Sequence, residues 1–163
     1  PRRARRFFIA QTKKELFMAS GVTDRGRAKL FEYAFDGTSA PANFYYALCT
    51  DATTPTVATN VFSDLTEVAT GNGYAAYGNT VASDTAFTVT EVDGTPGAKV
   101  VVSSQVFTAS GGDLPSSGSA RWAVLLDTNS ASANVLAWFD LNSNTSVSDT
   151  QSLTINSSTI NAS

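Results

Sequence analysis

A chain of 163 residues with 42% hydrophobic residues has the size and composition of one globular domain. The absence of histidine excludes Ser-His and Cys-His catalytic pairs and the commonest metal ligand, and a single cysteine excludes an intramolecular disulfide. Serine and threonine together supply 40 residues, which suits half-exposed strands better than long helices, so the composition predicts an all-β protein.

The basic side chains are concentrated at the start of the chain. Residues 1–29 carry nine basic and two acidic side chains, a net charge of +7, whereas residues 30–163 carry two basic and twelve acidic ones, a net of −10. We expect residues 1–21 to form a basic N-terminal arm and residues 22–163 to form the helix and β-sandwich domain. The arm residues expected to contact a partner are Arg2, Arg3, Arg5, Arg6, Phe7, Phe8, Lys13 and Lys14.

The composition of the arm favours an acidic protein surface as its partner. Arginines pair with carboxylates, and adjacent exposed aromatic residues such as Phe7 and Phe8 anchor protein interfaces. Nucleic acid is the weaker alternative, because a duplex repels an acidic body and no basic face accompanies the arm. The segment "MASGVTDRG", starting at Met18, is typical of a translation start, so residues 1–17 are interpreted as an added upstream extension.

No stretch of the sequence predicts a membrane segment. A membrane span needs about 20 apolar residues in succession. The apolar run from Phe7 to Ala10 is also too short for the core of a secretion signal, although basic residues precede it. We therefore expect neither a signal peptide nor a membrane partner.

The segment "VTDRGRAKLFEYAF" predicts the single convincing helix. Thr23 or Asp24 is the candidate N-cap, because an oxygen-bearing side chain there accepts a hydrogen bond from a free backbone N–H of the first turn. We expect the apolar stripe of this helix to lie on a sheet, with a partner-binding helix as the alternative. The stripe is formed by Ala28, Phe31 and Phe35, and Leu30 and Ala34 widen it.

Seven or eight strand candidates follow the helix at near-regular spacing, which predicts an antiparallel sandwich or jelly roll. "APANFYYALCT" has apolar residues on both strand faces, with Cys49, Tyr45 and Ala47 on one of them. "RWAVLLD" and "VLAWFDL" predict a hairpin, "SDLTEVA" a helical turn capped by Asp64, and "NSNTS" a turn. The other candidates are "NTVAS", "TAFTVTEV", "AKVVVSSQVFTA" and "DTQSLTINSS".

No spacing of side chains predicts catalysis, so we expect a protein that is not an enzyme and that uses neither cofactor nor metal. Cys49 is interpreted as a buried structural thiol, since no histidine can activate it. "DLNSNTSVSD" places Asp140, Asn142 and Asn144 at the alternating positions that begin a calcium loop. Thr145 occupies the position where such a loop needs glycine, so an Asx-rich turn is favoured.

Trp122 and Trp138 are the candidate contact residues of the domain. Each lies in an alternating apolar strand, which favours packing in a core or an interface. The alternative is a platform on which a sugar stacks, because the face of an aromatic ring suits the apolar face of a sugar ring.

Four phrases of the chain, taken in order over residues 22 to about 160, form a recognisable series. Their residues are Thr23, Asp24 and Gly26, then Ala42, Asn43, Phe44, Tyr45, Ala47 and Leu48, then Thr66, Glu67, Val68, Gly71, Gly73 and Tyr74, and finally Trp122, Ala123, Asp127, Asn134, Leu136 and Ala137. In these phrases the chain resembles a family of small virion structural proteins of tailed bacteriophages. Asn72 and Ala76 stand where the family commonly has a glycine and an arginine.

The resemblance implies an all-β fold, an antiparallel β-sandwich of jelly-roll type with one N-terminal helix and, in this chain, the extended basic arm. It also implies a structural role in a virion. Some members resemble capsid cement (decoration) proteins, so we expect a homo-dimer or homo-trimer that binds the major capsid protein on the outer surface of the phage head. The alternative is a tail-tip or fibre module that binds host surface carbohydrate through Trp122 or Trp138.

Overall fold

The computed structural model describes residues 20–91, 93 and 98–162 of the chain. These residues form one α-helix and ten strands, with a 3₁₀ turn at Phe62–Asp64. The elements are β1 (Ser20–Val22), α1 (Asp24–Phe35), β2 (Asn43–Cys49), β3 (Asn79–Ala82), β4 (Phe87–Glu91), β5 (Ala98–Val102), β6 (Gln105–Thr108), β7 (Ala120–Leu126), β8 (Val135–Thr145), β9 (Ser152–Ile155) and β10 (Ser158–Ala162).

The strands form three antiparallel sheets. The largest has five strands in the order β1-β8-β7-β2-β3, the second has the order β10-β5-β4, and β6 pairs with β9. The predicted hairpin is confirmed, because β7 and β8 pair antiparallel along their length. This architecture confirms the predicted all-β class with antiparallel sheets.

One face of the five-stranded sheet packs against the two smaller sheets. Tyr46 and Leu48 of β2 lie there with Phe139 of β8, and the rings of Tyr46 and Phe139 stack with centroids 5.5 Å apart. Val102 of β5 and Phe107 of β6 belong to the same buried cluster. The three sheets therefore share one core.

The opposite face of that sheet is covered by the segment that joins β2 to β3. Ala47 and Cys49 point to this side and are fully buried with Phe62 and Leu65 of the connecting segment. Both faces of β2 are thus covered, as its two-sided apolar pattern predicts. Cys49 is the buried thiol that the sequence predicts.

Two of the predicted strands are each divided in the structure. "AKVVVSSQVFTA" forms β5 and β6, which belong to different sheets, and "DTQSLTINSS" contributes to β9 and β10, which do so as well. The breaks fall at the polar pairs Ser103–Ser104 and Asn156–Ser157. These polar pairs allow the chain to leave one sheet and enter the next.

The domain begins before the predicted boundary between residues 21 and 22, because Ser20 and Gly21 belong to β1 and pair with β8. The contact residues predicted in the arm lie outside the described residues. They are Arg2, Arg3, Arg5, Arg6, Phe7, Phe8, Lys13 and Lys14.

Candidate protein-interaction surface

The first turn of α1 is anchored to β8 by Thr23, which is the N-cap as the sequence predicts. Its side-chain hydroxyl accepts a hydrogen bond of 2.7 Å from the backbone N–H of Gly26, and the hydroxyl O–H donates one to the carbonyl oxygen of Val135. Its own backbone N–H donates to the carbonyl oxygen of Leu136 over 3.1 Å. Thr23 is fully buried, so these bonds fix the start of the helix in the protein interior.

Gly26 sets the side of α1 that faces the body. It is the one buried residue of this helix, and a Cβ at its position would lie 2.2 Å from the carbonyl oxygen of Leu136. On the same side, Arg25 donates a 2.7 Å hydrogen bond to the side chain of Asn134. Tyr33 is half-buried, and this burial, together with the nearby Asp127 carboxylate, raises the pKa of Tyr33.

The apolar stripe of α1 therefore faces away from the sheet. Leu30, Phe31 and Phe35 are 53%, 65% and 81% exposed, and the rings of Phe31 and Phe35 stack with centroids 6.2 Å apart. The prediction that this stripe lies on a sheet is wrong. The backbone contact at Gly26 rotates the helix so that the glycine side is buried. We call Leu30, Phe31 and Phe35, with the exposed Ala28 and Ala34, the α1 face.

The charges along α1 change sign at its middle. The first half carries Asp24, Arg25, Arg27 and Lys29, a net of +2, and the second half carries Glu32 and Asp36, a net of −2. Hydrogen bonds from Thr38 lower the pKa of Asp36, the C-cap residue, which stays charged at neutral pH. Because an α-helix favours anions at its N-terminus and cations at its C-terminus, the order of charges after Asp24 is the reverse of the favourable one.

Trp138 lies on β8 opposite Val124 and is half-buried beneath β1. Its indole covers Gly21 so closely that a Cβ there would lie 2.1 Å from the ring. The tryptophan also lines a cleft of about 380 Å³ to which Arg27 and Asn161 contribute. An aromatic residue, an arginine and an asparagine thus border one cleft.

Trp122 lies on the same face of the sheet as Trp138, and both pack partly buried against the cluster around Cys49. The Arg121 guanidinium lies over the Trp122 ring, 5.0 Å from the ring centre. The same guanidinium forms an ion pair with Asp140, in which Nη1 and Oδ1 are 2.6 Å apart. The indole N–H of Trp122 is buried and has no hydrogen-bond partner among the described residues. The two tryptophans share a face but have different surroundings.

The Cys49 thiol and the polar side chains of the calcium-like segment, which the sequence offers as chemical candidates, make local contacts in the structure. Burial raises the pKa of the Cys49 thiol, Asp140 pairs with Arg121, and the Asn144 amide donates to Asp51 over 2.7 Å. In the part of the chain that the structure describes, no three Asp, Glu or Cys side chains are grouped to hold a metal ion.

The sequence predicts the residues of the α1 face as an apolar stripe, and the favoured interpretation places that stripe on a sheet. The alternative, a partner-binding helix, is the one that agrees with the exposure of these residues. One signal could have corrected the assignment. A glycine inside a helix costs about 1 kcal/mol relative to alanine, so Gly26 indicates a close backbone contact on its own side of the helix.

No helix among the described residues is long and apolar enough to cross a membrane. Compared with known proteins, the chain matches no family model, no curated protein and no solved structure.

Proposed function

We propose that this chain is a structural protein of a tailed-phage virion, a capsid cement protein with a β-sandwich of jelly-roll type. It binds the outer surface of the head shell and is not an enzyme. The ordered phrases that resemble the family of virion structural proteins support the proposal. Its partners are the major capsid protein and other copies of the chain.

The observation that carries this proposal is the exposed α1 face. Phe31 and Phe35 leave a stacked aromatic pair open to solvent beside a body whose main sheet is buried on both faces. Large aromatic residues of this kind are concentrated in the centres of protein interfaces, where they contribute most of the binding free energy. A structural role that consists of binding other proteins accounts for such a surface.

The distribution of charge supports the same role. The acidic part of the chain favours solubility, and the basic residues at 2–14 are proposed to dock on carboxylates of a neighbouring shell protein. A protein that binds the assembled shell but not its separated subunits stabilises the shell by mass action. Many modest contacts, repeated over the lattice, are then sufficient to resist the pressure of packaged DNA.

The test uses phage heads prepared without this protein. Adding the purified chain is expected to saturate the heads and to raise the temperature at which they rupture. Phe35→Lys is expected to bind at least about tenfold more weakly, because a charge replaces the most exposed aromatic of the α1 face. Val89→Lys is the matched control, since Val89 is 73% exposed on β4 and lies outside the α1 face. Heads that bind none of the wild-type chain would overturn the proposal.

A second candidate function rests on the Trp138 cleft. A tail-tip or fibre module that binds host carbohydrate needs an aromatic platform with polar groups beside it, and Trp138, Arg27 and Asn161 border one cleft. Glycan binding that is lost in Trp138→Ala and kept in Trp122→Ala would support this role. A wild-type chain that binds no surface polysaccharide of the host would exclude it.

A further inference from the structure

We propose that the α1 face and the Trp138 cleft form one continuous docking surface, whose occupant is a segment of the major capsid protein with apolar side chains and a carboxylate. Arg27 joins the two parts of the surface and is the residue that binds the carboxylate. The inference rests on the proposed function, because it names the chemistry of the segment that the cement protein contacts on the head.

Arg27 connects the α1 face to the cleft. Its side chain is 50% exposed and lines the cleft together with Trp138. Residues four apart are neighbours on the surface of a helix, so Arg27, Phe31 and Phe35 follow one another along the same side of α1. At 1.5 Å per residue they span about 12 Å, and the N-terminal end of this span is the border of the cleft.

Apolar side chains continue from α1 into the cleft. The backbone N–H of Asp24 donates a 2.7 Å hydrogen bond to the carbonyl oxygen of Val57, which holds the loop after β2 against the first turn of the helix. Val57 is 47% exposed and lines the cleft with the half-buried Ile160 of β10. Arg27 therefore has an apolar neighbour on either side, Phe31 on the helix and Val57 in the cleft.

The size of the surface suits a short extended segment. The cleft of about 380 Å³ lies near the lower end of the range of ligand sites, about 300–1,000 Å³, so it takes one or two side chains. An extended chain advances about 3.3 Å per residue, so roughly four residues cover the α1 part. A segment of roughly six residues thus covers the α1 face and enters the cleft.

The charge around the cleft favours a carboxylate. The described residues carry thirteen acidic and five basic side chains, yet among them no acidic side chain lines the cleft, whereas Arg27 does. Lys99 of β5 lies directly opposite Asn161 of β10, which also lines the cleft, so a second cation lies beside it. The cleft is therefore a place where an otherwise acidic body attracts an acidic partner.

The contact of Arg27 with Asp24 leaves the guanidinium accessible to a partner. Nη1 of Arg27 and Oδ1 of Asp24 are 3.3 Å apart, and their side chains are 50% and 66% exposed. Solvent screens such an exposed pair, so its rearrangement costs little. A guanidinium has five N–H donors, and Nη1 is the atom that bonds Asp24. The other nitrogens remain to bind a carboxylate of the partner.

Charge disfavours the N-terminal segment of this chain as the occupant. Residues 1–19 carry six basic side chains and one acidic one, a net of +5. At the cleft this segment would meet the like charges of Arg27 and Lys99, whereas an acidic segment of the major capsid protein meets opposite charge.

Two substitutions of Val57 test the sign of the partner's charge. Val57→Glu places a carboxylate in the cleft and is expected to bind phage heads at least about tenfold more weakly than the wild type. Val57→Lys introduces a side chain of similar length and is expected to bind at least as tightly as the wild type. Both replace the same loop residue, so they share any steric effect, and circular dichroism and thermal melting establish that both are folded.

Arg27→Gln and Arg25→Gln form a matched pair for the predicted carboxylate contact. Two positions apart, these arginines point to nearly opposite sides of α1, and Arg25 is bonded to Asn134. Arg27→Gln is expected to weaken head binding about fivefold and to reduce its dependence on salt concentration. Arg25→Gln removes the same charge and is expected to leave both properties unchanged.

Oxidative footprinting by mass spectrometry tests whether the two parts of the surface are covered together. Phe35 and Trp138 are both expected to be protected from oxidation in the head-bound chain relative to the free chain. Trp122 is the internal reference, because it does not line the cleft.

The outcomes are distinct. Protection of Phe35 without Trp138, or equal effects of Val57→Glu and Val57→Lys, overturns the inference and leaves the proposed function standing. The inference is also overturned if Val57→Glu abolishes binding to host polysaccharide but not to heads, which assigns the cleft to a glycan. Dimers of the free chain that Val57→Glu dissociates would assign the surface to a second copy and overturn it as well. A wild-type chain that binds no heads overturns both the inference and the proposed function.

Discussion

The backbone of Gly26 lies directly against the carbonyl group of Leu136, where a Cβ would come within 2.2 Å of the oxygen. This contact joins the first turn of α1 to β8. It also turns Phe31 and Phe35 outward, so the exposed aromatic pair is a consequence of one glycine.

Gly26→Ala is expected to destabilise the protein, although alanine is the better helix former by about 1 kcal/mol. The added methyl group must displace the helix from β8, and overpacking of this kind costs about 1–3 kcal/mol. Urea unfolding at one fixed protein concentration measures the change. Ala28→Gly, on the exposed side of the same helix, is expected to lose only about 1 kcal/mol. A Gly26→Ala protein more stable than the wild type would show that the contact with Leu136 is not tight.

Removing the Thr23 hydroxyl is expected to lower the free energy of unfolding by about 2 kcal/mol. The hydroxyl caps α1 at Gly26 and bonds the Val135 carbonyl, and both groups would be left without that partner in the interior. Thr23→Val keeps the shape and loses the hydroxyl, whereas Thr23→Ser keeps the hydroxyl and is expected to cost about 1 kcal/mol. Chemical unfolding compares Thr23→Val with Thr23→Ser. Equal losses of unfolding free energy in the two variants would contradict the role of the hydroxyl.

The ion pair between Arg121 and Asp140 is expected to matter more than a surface pair. Its side chains are 23% and 16% exposed, and the guanidinium lies over Trp122. Asp140→Asn leaves a largely buried guanidinium without its counter-charge, at a cost of about 2 kcal/mol after allowance for partial exposure.

The matched comparison for that ion pair is Arg27→Gln. It breaks the ion pair with Asp24, whose side chains are 50% and 66% exposed, and is expected to change the free energy of unfolding by less than about 0.5 kcal/mol. Similar effects of Arg27→Gln and Asp140→Asn in urea unfolding would count against a structural role for the Arg121 pair.

The protein is expected to lose stability at alkaline pH. Burial raises the pKa of Cys49, Tyr46 and Tyr74 above their usual values of 9.0 for the thiol and 10.0 for the phenols. The unfolded chain therefore releases these protons first as the pH rises, and the free energy of unfolding falls. Each group contributes a slope of up to about 1.4 kcal/mol per pH unit above its unfolded value.

Thermal melting between pH 7 and pH 11 checks this dependence. Cys49→Ala is expected to shift the onset of the decline from about pH 9 towards pH 10, because only the phenols then contribute. A melting temperature that is constant up to pH 11 would contradict the burial of these groups.

The sequence predicted the local features of the fold and missed those that depend on distant contacts. The Thr23 cap and the β7–β8 hairpin arise from neighbouring residues, and both are confirmed. The orientation of α1 depends on a contact between Gly26 and β8, which no local pattern contains. The residues of the candidate surface were therefore predicted as a set, but their exposure agrees only with the alternative of a partner-binding helix and not with the favoured interpretation.

Two predicted turns form, but their position or role differs from the prediction. The helical turn lies at Phe62–Asp64, earlier than predicted, and the Asp64 carboxylate caps it by accepting from the backbone N–H groups of Asn60 and Val61, 3.1 Å from each. "NSNTS" lies inside β8, where Asp140 accepts a 2.6 Å hydrogen bond from the backbone N–H of Asn142, so the predicted Asx turn is present. This turn interrupts the pairing of β8 with β7 and does not end a hairpin, because β8 continues to Thr145.

The number of copies of this chain per virion, measured by quantitative mass spectrometry against the major capsid protein, tests the proposed cement function most directly. A protein that binds throughout the head lattice is expected at a copy number comparable to that of the major capsid protein. A copy number far below it, as for a component confined to the tail, would contradict the cement function.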